Sequence, residues 1–284
     1  MPINYDEIMR LKAEGEEFSY RERETMLYAL GVDFMRDPLN ERELPFVYEN
    51  GLRAVPTMAT VVAWGQSLIG RTGVNYLMLV HGEQRLTLHK PLPPYADIVS
   101  DERIVGAYDK GSDKGALIVS EKTIRDKTTG EKLCTLSGTA FCRGDGGFGG
   151  PKEGAPEPHP LPSRPPDLVH EADTRPDQAF LYALSGDRNP LHRDPRVAKM
   201  AGFPRPILHG LCTYGIACRS VLSTACDYEP AKIVGFDVRF SAPVFPGETI
   251  ATEMWLDGAV VSFRSRVKER DVVCLNNGKC TLAI

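Results

Sequence analysis

An internal repeat restricts the fold of this chain more than any other feature. Tyr28-Ala29-Leu30 is followed by Asp33, and Tyr182-Ala183-Leu184 is followed by Asp187. Further on, Leu86-Thr87-Leu88-His89-Lys90-Pro91-Leu92-Pro93 is similar to Val238-Arg239-Phe240-Ser241-Ala242-Pro243-Val244-Phe245. Both matches come in the same order at nearly constant separation, so one structural unit is expected twice. Between the copies lies GDGGFGGPKEGAPEPHPLPSRPP, residues 144–166, where glycine gives way to proline and little could anchor a core. That composition suits a linker, flexible first and stiffer later. The expected organisation is an N-terminal repeat over 1–143, the linker over 144–166 and a C-terminal repeat over 167–284.

Each half has the same order of elements: a helical segment, a second apolar helix, then strands. In the second half Leu211, Tyr214, Gly215, Cys218, Val221 and Leu222 recur at helical spacing and predict a helix over 211–222. Alternating segments follow at 232–241, 248–257, 259–270 and 272–283 with no helix between them, which predicts an antiparallel sheet. The first half is expected to repeat this, with a helix over 56–69 and strands from about 76 to 143. The class is α+β, a helix wrapped by an antiparallel sheet. Two such sheets can pair into one and protect each other's edges. The acidic start from Asp6 to Glu24 reads as a solvated helix face, and Trp64 and Trp255 read as packing residues.

Composition removes several function classes. A formal net charge of -4 gives no general attraction to nucleic acid. No apolar run approaches the roughly 20 residues of a bilayer span, so no membrane partner is expected. The N-terminus, MPINYDEIMRLKAEGEEF, lacks the apolar core of a secretory signal. Seven scattered cysteines, odd in number and without a C-x-x-C pair, read as reduced core residues of a soluble intracellular protein. The final Leu282-Ala283-Ile284 is not a Ser-Lys-Leu type peroxisomal signal. The cytoplasm is the expected compartment, with the peroxisome left open.

The chemistry is concentrated in Ser185-Gly186-Asp187-Arg188-Asn189-Pro190-Leu191-His192. Asn189-Pro190 and Gly186 indicate a turn, in which an acid, an amide and an imidazole can converge on one point. Asp187 and His192 are five apart and would diverge on a helix. Together they could hold one water, one group accepting its proton while the other supplies a proton to the adjacent carbon. Asn189 could orient either partner. Addition of water to an activated alkene also needs a donor for the negative charge that develops on the carbonyl oxygen. Gly210, at the start of the predicted helix in Ile207-Leu208-His209-Gly210-Leu211, offers a backbone N–H at a helix N-terminus. Turn satisfaction alone would also explain Asp, Asn and His here. A zinc site from Asp187, His192 and His209 lacks H-e-x-x-H or paired-cysteine spacing, and Ser185 lacks a G-x-S-x-G elbow, so no metal and no cofactor are expected.

The stretch from Tyr182 to His192 with Ala198, continued by Pro206-Ile207-Leu208-His209-Gly210-Leu211-Cys212-Thr213, resembles the signature of the MaoC-like, type-2 (R)-specific enoyl-CoA hydratases. His81-Gly82-Glu83-Gln84 and Lys90-Pro91-Leu92-Pro93 resemble the N-terminal half of the hydratase domain of the peroxisomal multifunctional β-oxidation enzyme. The resemblance implies a double hot-dog fold and an acyl-CoA substrate. It implies that Asp187 and His192 are the catalytic pair, with Asn189 in support and Gly210 as the oxyanion donor. His81, Gly82, Lys110, Phe240 and the 187–192 loop, including Arg188, Pro190 and Leu191, fall where relatives line the acyl-CoA site. In the first repeat, Met35 and Pro38 stand where the second has Asn189 and His192, so that half is expected to have become a wall for the acyl tail. Lys114, Arg193, Lys199 and Arg205 are further candidates for the CoA phosphates. A homodimer is expected. A hot-dog acyl-CoA thioesterase and a non-catalytic acyl-CoA binding protein are the competing functions.

Overall fold

In the first half, β1 (Lys12–Tyr20), β2 (Leu79–Leu88), β3 (Ala96–Asp109), β4 (Ala116–Asp126) and β5 (Lys132–Cys142) form one side of a sheet. In the second, β6 (Leu168–Asp173), β7 (Ile233–Phe240), β8 (Thr249–Asp257), β9 (Val260–Val267) and β10 (Val272–Leu282) form the other. This computed structural model describes residues 3–65 and 67–283. The strands run in the order β1-β3-β4-β5-β2-β7-β10-β9-β8-β6, so the second half mirrors the first about the β2–β7 seam. Every neighbouring pair is antiparallel. At the seam Glu83 faces Arg239 and Arg85 faces Asp237, so acid meets base across the join in both directions. The sheet and its helices form the double hot-dog fold.

The helices are α1 (Tyr5–Met9), α2 (Glu22–Gly31), α3 (Gln178–Tyr182), α4 (Pro195–Met200) and α5 (Gly210–Ala225). The predicted helix over 211–222 is α5, extended at both ends. Leu211 to Cys218, Ser220, Val221 and Leu222 are all buried, which requires the nearly all-round apolar surface that this segment has. Gly215 lets α2 approach closely, since a Cβ there would lie 2.4 Å from Val32 Cγ1 and 3.0 Å from the Tyr28 hydroxyl. The core therefore crosses from one half to the other and holds Tyr28, Val32, Tyr182, Tyr214 and Phe236.

Three expectations need correction. The helix over 56–69 is absent: 56–60 and 68–71 are short 3₁₀ turns with irregular chain between them. Pro56, the β-branched Thr57, Thr60, Val61 and Val62, then Gly65, all disfavour a continuous α-helix. The segment still fills the core through Pro56, Thr57, Met58 and Ala59. Gln66 of that expected helix, and Ile284 of the C-terminal tripeptide, lie outside the described residues. The acidic start is not one solvated helix: residues 12–20 are edge strand β1, paired with β3. Lys12, Glu14, Glu16 and Glu17 place charge along that edge, a common protection against sheet-to-sheet addition. Gly15, at φ +70°, breaks its register and hides the alternation. Finally, the glycine-rich linker is tied down. Asp109 accepts from the N–H groups of Gly147 (2.8 Å) and Gly149 (2.7 Å). Arg85 donates to the Glu157 carbonyl and Asn277 to that of His159.

All seven cysteines are buried free thiols. No helix among the described residues is long and apolar enough to cross a membrane.

Candidate active site

The site is assembled where α3 ends. A 3₁₀ turn over 183–185 follows it, then Gly186 reverses the chain at φ +135°. Only glycine fits: a Cβ at 186 would lie 2.9 Å from Trp64 Cγ. Asp187 Oδ1 accepts the Asn189 N–H at 3.0 Å, and Asn189 Oδ1 accepts the Leu191 N–H at 3.0 Å. Two Asx turns in series lead into a 3₁₀ turn over Pro190–His192 and bring residue 192 back beside residue 187. Asn189 thus spends its carbonyl oxygen on building the loop.

His192 Nδ1 lies 2.9 Å from the Ile207 carbonyl. A carbonyl can only accept, so Nδ1 carries the proton and Nε2 keeps a free lone pair. Burial lowers the pKa of His192 below the ordinary value, opposed by the Ile207 bond and Asp187 and aided by Arg193. At neutral pH the ring is therefore a neutral base. Asp187, half-buried, presents a carboxylate oxygen within 4.8 Å of ring nitrogens of both His192 and His209. The predicted convergence of Asp187 and His192 is present, and the loop that carries them is open to solvent at Arg188, Asn189 and Pro190.

Gly210 begins α5, with His209 at the N-cap. The His209 carbonyl accepts from Cys212 and Thr213, while the first N–H groups of the helix have no carbonyl a turn earlier to bond. A Cβ on Gly210 would lie 3.1 Å from Phe240 Cε1. The Phe240 ring also packs on His81, with centroids 4.7 Å apart. Phe240, His81 and Gly210 therefore share one wall. Gly82 sits where β2 shifts register against β5, and a Cβ there would meet the Thr139 carbonyl at 3.2 Å. His81 is solvent-accessible in a crowded recess that lowers its pKa, with Asp187 opposing.

Not every expected residue points its polar group at this wall. Lys110, in the β3–β4 turn, donates Nζ to the Lys152 carbonyl at 2.7 Å. Arg205 donates to the Pro246 carbonyl and lies over the Phe245 ring. Arg193 donates to the Arg188 carbonyl at 2.6 Å and so closes the loop on itself. Arg188 and Pro190 are exposed and Leu191 is half-buried. Trp64, read from sequence as packing, is 41% exposed and leans on Gly186 beside the acid; Trp255 is buried as expected. In the first repeat Asp33 is 2% exposed and faces Arg36 and Arg219. Burial raises its pKa to about 6. Arg219 reaches from α5 to the fully buried Glu43 at 2.7 Å, so this cluster joins the two halves.

His209 is the residue that sequence reasoning undervalued. It is 1% exposed, donates from Nε2 to the Asp187 carbonyl at 3.1 Å, and stacks on His192 with centroids 3.8 Å apart at 30°. Its position immediately before Gly210 was the available signal. Asp187, His192 and His209 bring their ligand atoms within 4.8 Å of one another, and each imidazole donates one nitrogen to a carbonyl and keeps the other free, on rings stacked at 30°.

A double hot-dog scaffold thus brings a carboxylate and a neutral imidazole together at one opening. The MaoC-like domain model matches residues 158–277, and the model of the N-terminal domain of MFE-2 hydratase 2 matches residues 18–144. The chain belongs to the MaoC-like enoyl-CoA hydratase 2 family of hydro-lyases, related to the hydratase domain of the multifunctional enzyme. It is 39% identical over 291 residues to the peroxisomal enoyl-CoA hydratase 2 of Arabidopsis thaliana, covering 96% of this chain and 94% of that one. A MaoC-like dehydratase from Phytophthora capsici superposes with a TM-score of 0.88 at 33% identity, over 99% of this chain and 98% of that one. The full-length peroxisomal multifunctional enzyme type 2 of Drosophila melanogaster gives 0.82 at 35%, over 96% of this chain and 48% of that one.

Proposed function

We propose that this chain adds water to trans-2-enoyl-CoA thioesters to give (3R)-3-hydroxyacyl-CoA, in fatty acid metabolism. One observation carries the reading: a loop wound by two Asx turns brings Asp187 and the unprotonated Nε2 edge of His192 together, beside a helix that begins at Gly210. The water sits between the Asp187 carboxylate, which accepts one of its hydrogens, and His192 Nε2, which takes the other as the oxygen bonds to Cβ. The alkene electrons move toward the thioester, and its oxygen receives the Gly210 N–H. The imidazolium then returns the proton to Cα, so the elements of one water are added and the enzyme is regenerated. The chain's own groups suffice for each step.

The first repeat, 1–143, keeps Asp33 but carries Met35 and Pro38 where the second has Asn189 and His192, and we assign it to the acyl tail. The second repeat, 167–284, carries the chemistry. His81, Gly82 and Phe240 line the thioester region, Lys110 and Arg188 the approach of the CoA. A homodimer forms part of the same reading, and sedimentation of the purified protein tests it.

The decisive test is loss of the conjugated enoyl absorbance with acyl chains of several lengths, followed by chiral analysis of the product. Turnover to the (3R) alcohol is expected, with Asp187→Asn slowing it at least roughly 1,000-fold while the circular dichroism is unchanged. Release of free CoA would indicate a thioesterase instead. Ligand-induced stabilisation without turnover would indicate a binding protein.

A further inference from the structure

The hydration chemistry uses Asp187, His192 and Gly210, yet the most buried imidazole of the site belongs to none of them. His209 touches all three. Its Nε2–H holds the Asp187 carbonyl, its ring face carries the His192 ring, and its own carbonyl accepts from Cys212 and Thr213 in the first turn of α5. Its other flank packs on Tyr182, with centroids 5.0 Å apart. Tyr182 belongs to the repeated Tyr-Ala-Leu triplet and is itself fully buried. The ring is therefore wedged between the core and the reacting pair.

The bond to a carbonyl fixes the tautomer. Nε2 carries the proton, and Nδ1 is left as a bare acceptor, buried with no hydrogen-bond partner. An unsatisfied buried acceptor costs stability. A phenylalanine would fill the space without that penalty but could not hold residue 187. Burial, with a contribution from His192, takes the pKa of His209 down to about 3. The ring stays neutral while the enzyme works, so its proximity adds no repulsion when His192 takes up a proton.

We propose that His209 is a positioning residue for the hydration: it sets the distance between the Asp187 carboxylate and His192 Nε2, through one hydrogen bond to the backbone of the former and one stacked face against the latter. The inference rests on the assignment of Asp187 and His192 as the reacting pair. It makes the two functions of the ring separable. His209→Gln keeps an amide N–H within reach of the Asp187 carbonyl and loses the face that carries His192. His209→Phe keeps the face and loses the hydrogen bond.

Both variants are expected to lower kcat roughly 10- to 100-fold, as misplacement by about 1 Å does, with KM changed less than about threefold. Their pH profiles should differ. His209→Gln admits water beside His192, so its pKa rises toward the ordinary value and the acid limb of kcat/KM moves up. His209→Phe keeps His192 covered and leaves that limb in place. A histidine that only packs the core would change the yield of folded protein but not kcat per folded molecule. A kcat within twofold of wild type in either variant overturns the proposal. If instead Asp187→Asn retains turnover, the reading of the reacting pair fails, independently of His209. Should neither variant fold, 15N NMR of the wild-type protein decides. His209 must carry its proton on Nε2 throughout the active pH range, and a proton on Nδ1 would remove the bond to residue 187 and overturn the assignment.

Discussion

Replacing Gly210 with alanine should cost activity, while its effect on stability is the balance of two opposed contributions. The backbone at 210 is not in the left-handed region, so alanine is compatible with it. Glycine to alanine at a compatible helical position stabilises by roughly 0.4–1 kcal/mol, largely by restricting the unfolded chain. The new methyl, however, would lie 3.1 and 3.2 Å from two carbons of the Phe240 ring, where ordinary contact begins at 3.4 Å. Either the ring or the first turn of α5 must retreat by about 0.3 Å, the difference between 3.4 and 3.1 Å. Phe240 is backed by His81, so movement there disturbs the same wall. The methyl also stands beside the N–H assigned to the thioester oxygen. Complete removal of such a donor typically costs about 2.7–4 kcal/mol of barrier. Displacement costs less, about 1.5–3 kcal/mol, or roughly 10- to 150-fold in kcat at 1.36 kcal/mol per decade. The assay is initial-rate hydration of a short enoyl-CoA, with a thermal melt of the same preparation. A kcat within threefold of wild type would show that the methyl leaves the amide and the approach to it undisturbed, and would refute the crowding argument.

Four further outcomes follow from the buried titratable groups. The proposed reaction needs the base form of His192, and its pKa is lowered by burial, so the plateau of kcat/KM should extend below the ordinary imidazole pKa of about 6.5; an acid limb above that value refutes the neutral-base role. His209, with a folded pKa of about 3, binds no proton in the range where the unfolded chain does, so stability should fall as pH drops below about 6.5, and His209→Gln should flatten that fall in urea titrations. Arg219→Met leaves Glu43 buried without its cation, and Asp33 with Arg36 alone, and should destabilise by about 3–5 kcal/mol in chemical denaturation. Asp33 runs the other way: a carboxyl raised from 3.8 to about 6 costs the folded state about 3 kcal/mol at pH 7, a cost that builds as pH rises from about 4 to 6. Asp33→Asn should therefore be more stable than wild type at pH 7.5 and gain little at pH 4.

The sequence made the second half of the molecule legible and the first half much less so. The stripe of Leu211, Tyr214, Cys218 and Leu222 announces α5, because a helix buried on most sides must be apolar at that spacing. Asp187, Asn189 and His192 could be read as one group, since Asx and proline chemistry dictates the turn locally. The helix over 56–69 failed for the opposite reason: its apolar residues are there for the core, but Pro56, the β-branched run and Gly65 give the backbone no local reason to be helical. Strand β1 was obscured by charge on its solvated edge. His209 was visible but not assignable, because its value lies in contacts to residues 182, 187 and 192 that only the folded chain brings together. The 2.7 Å bond from the Lys110 ammonium to the Lys152 carbonyl was not legible either, because no local pattern ties that turn to the linker.

The seam between β2 and β7 joins the halves by backbone pairing within a single polypeptide. Two identical subunits meeting at such a seam would carry every substitution twice, so a change that widened one cleft would widen its twin. Covalent tethering lifts that constraint. Position 35 is free to be methionine while position 189 stays asparagine, and Asp33 can settle among arginines while Asp187 keeps its opening to solvent. Asymmetry of this kind lets one side enlarge to house bulk while the other stays tight around a single water.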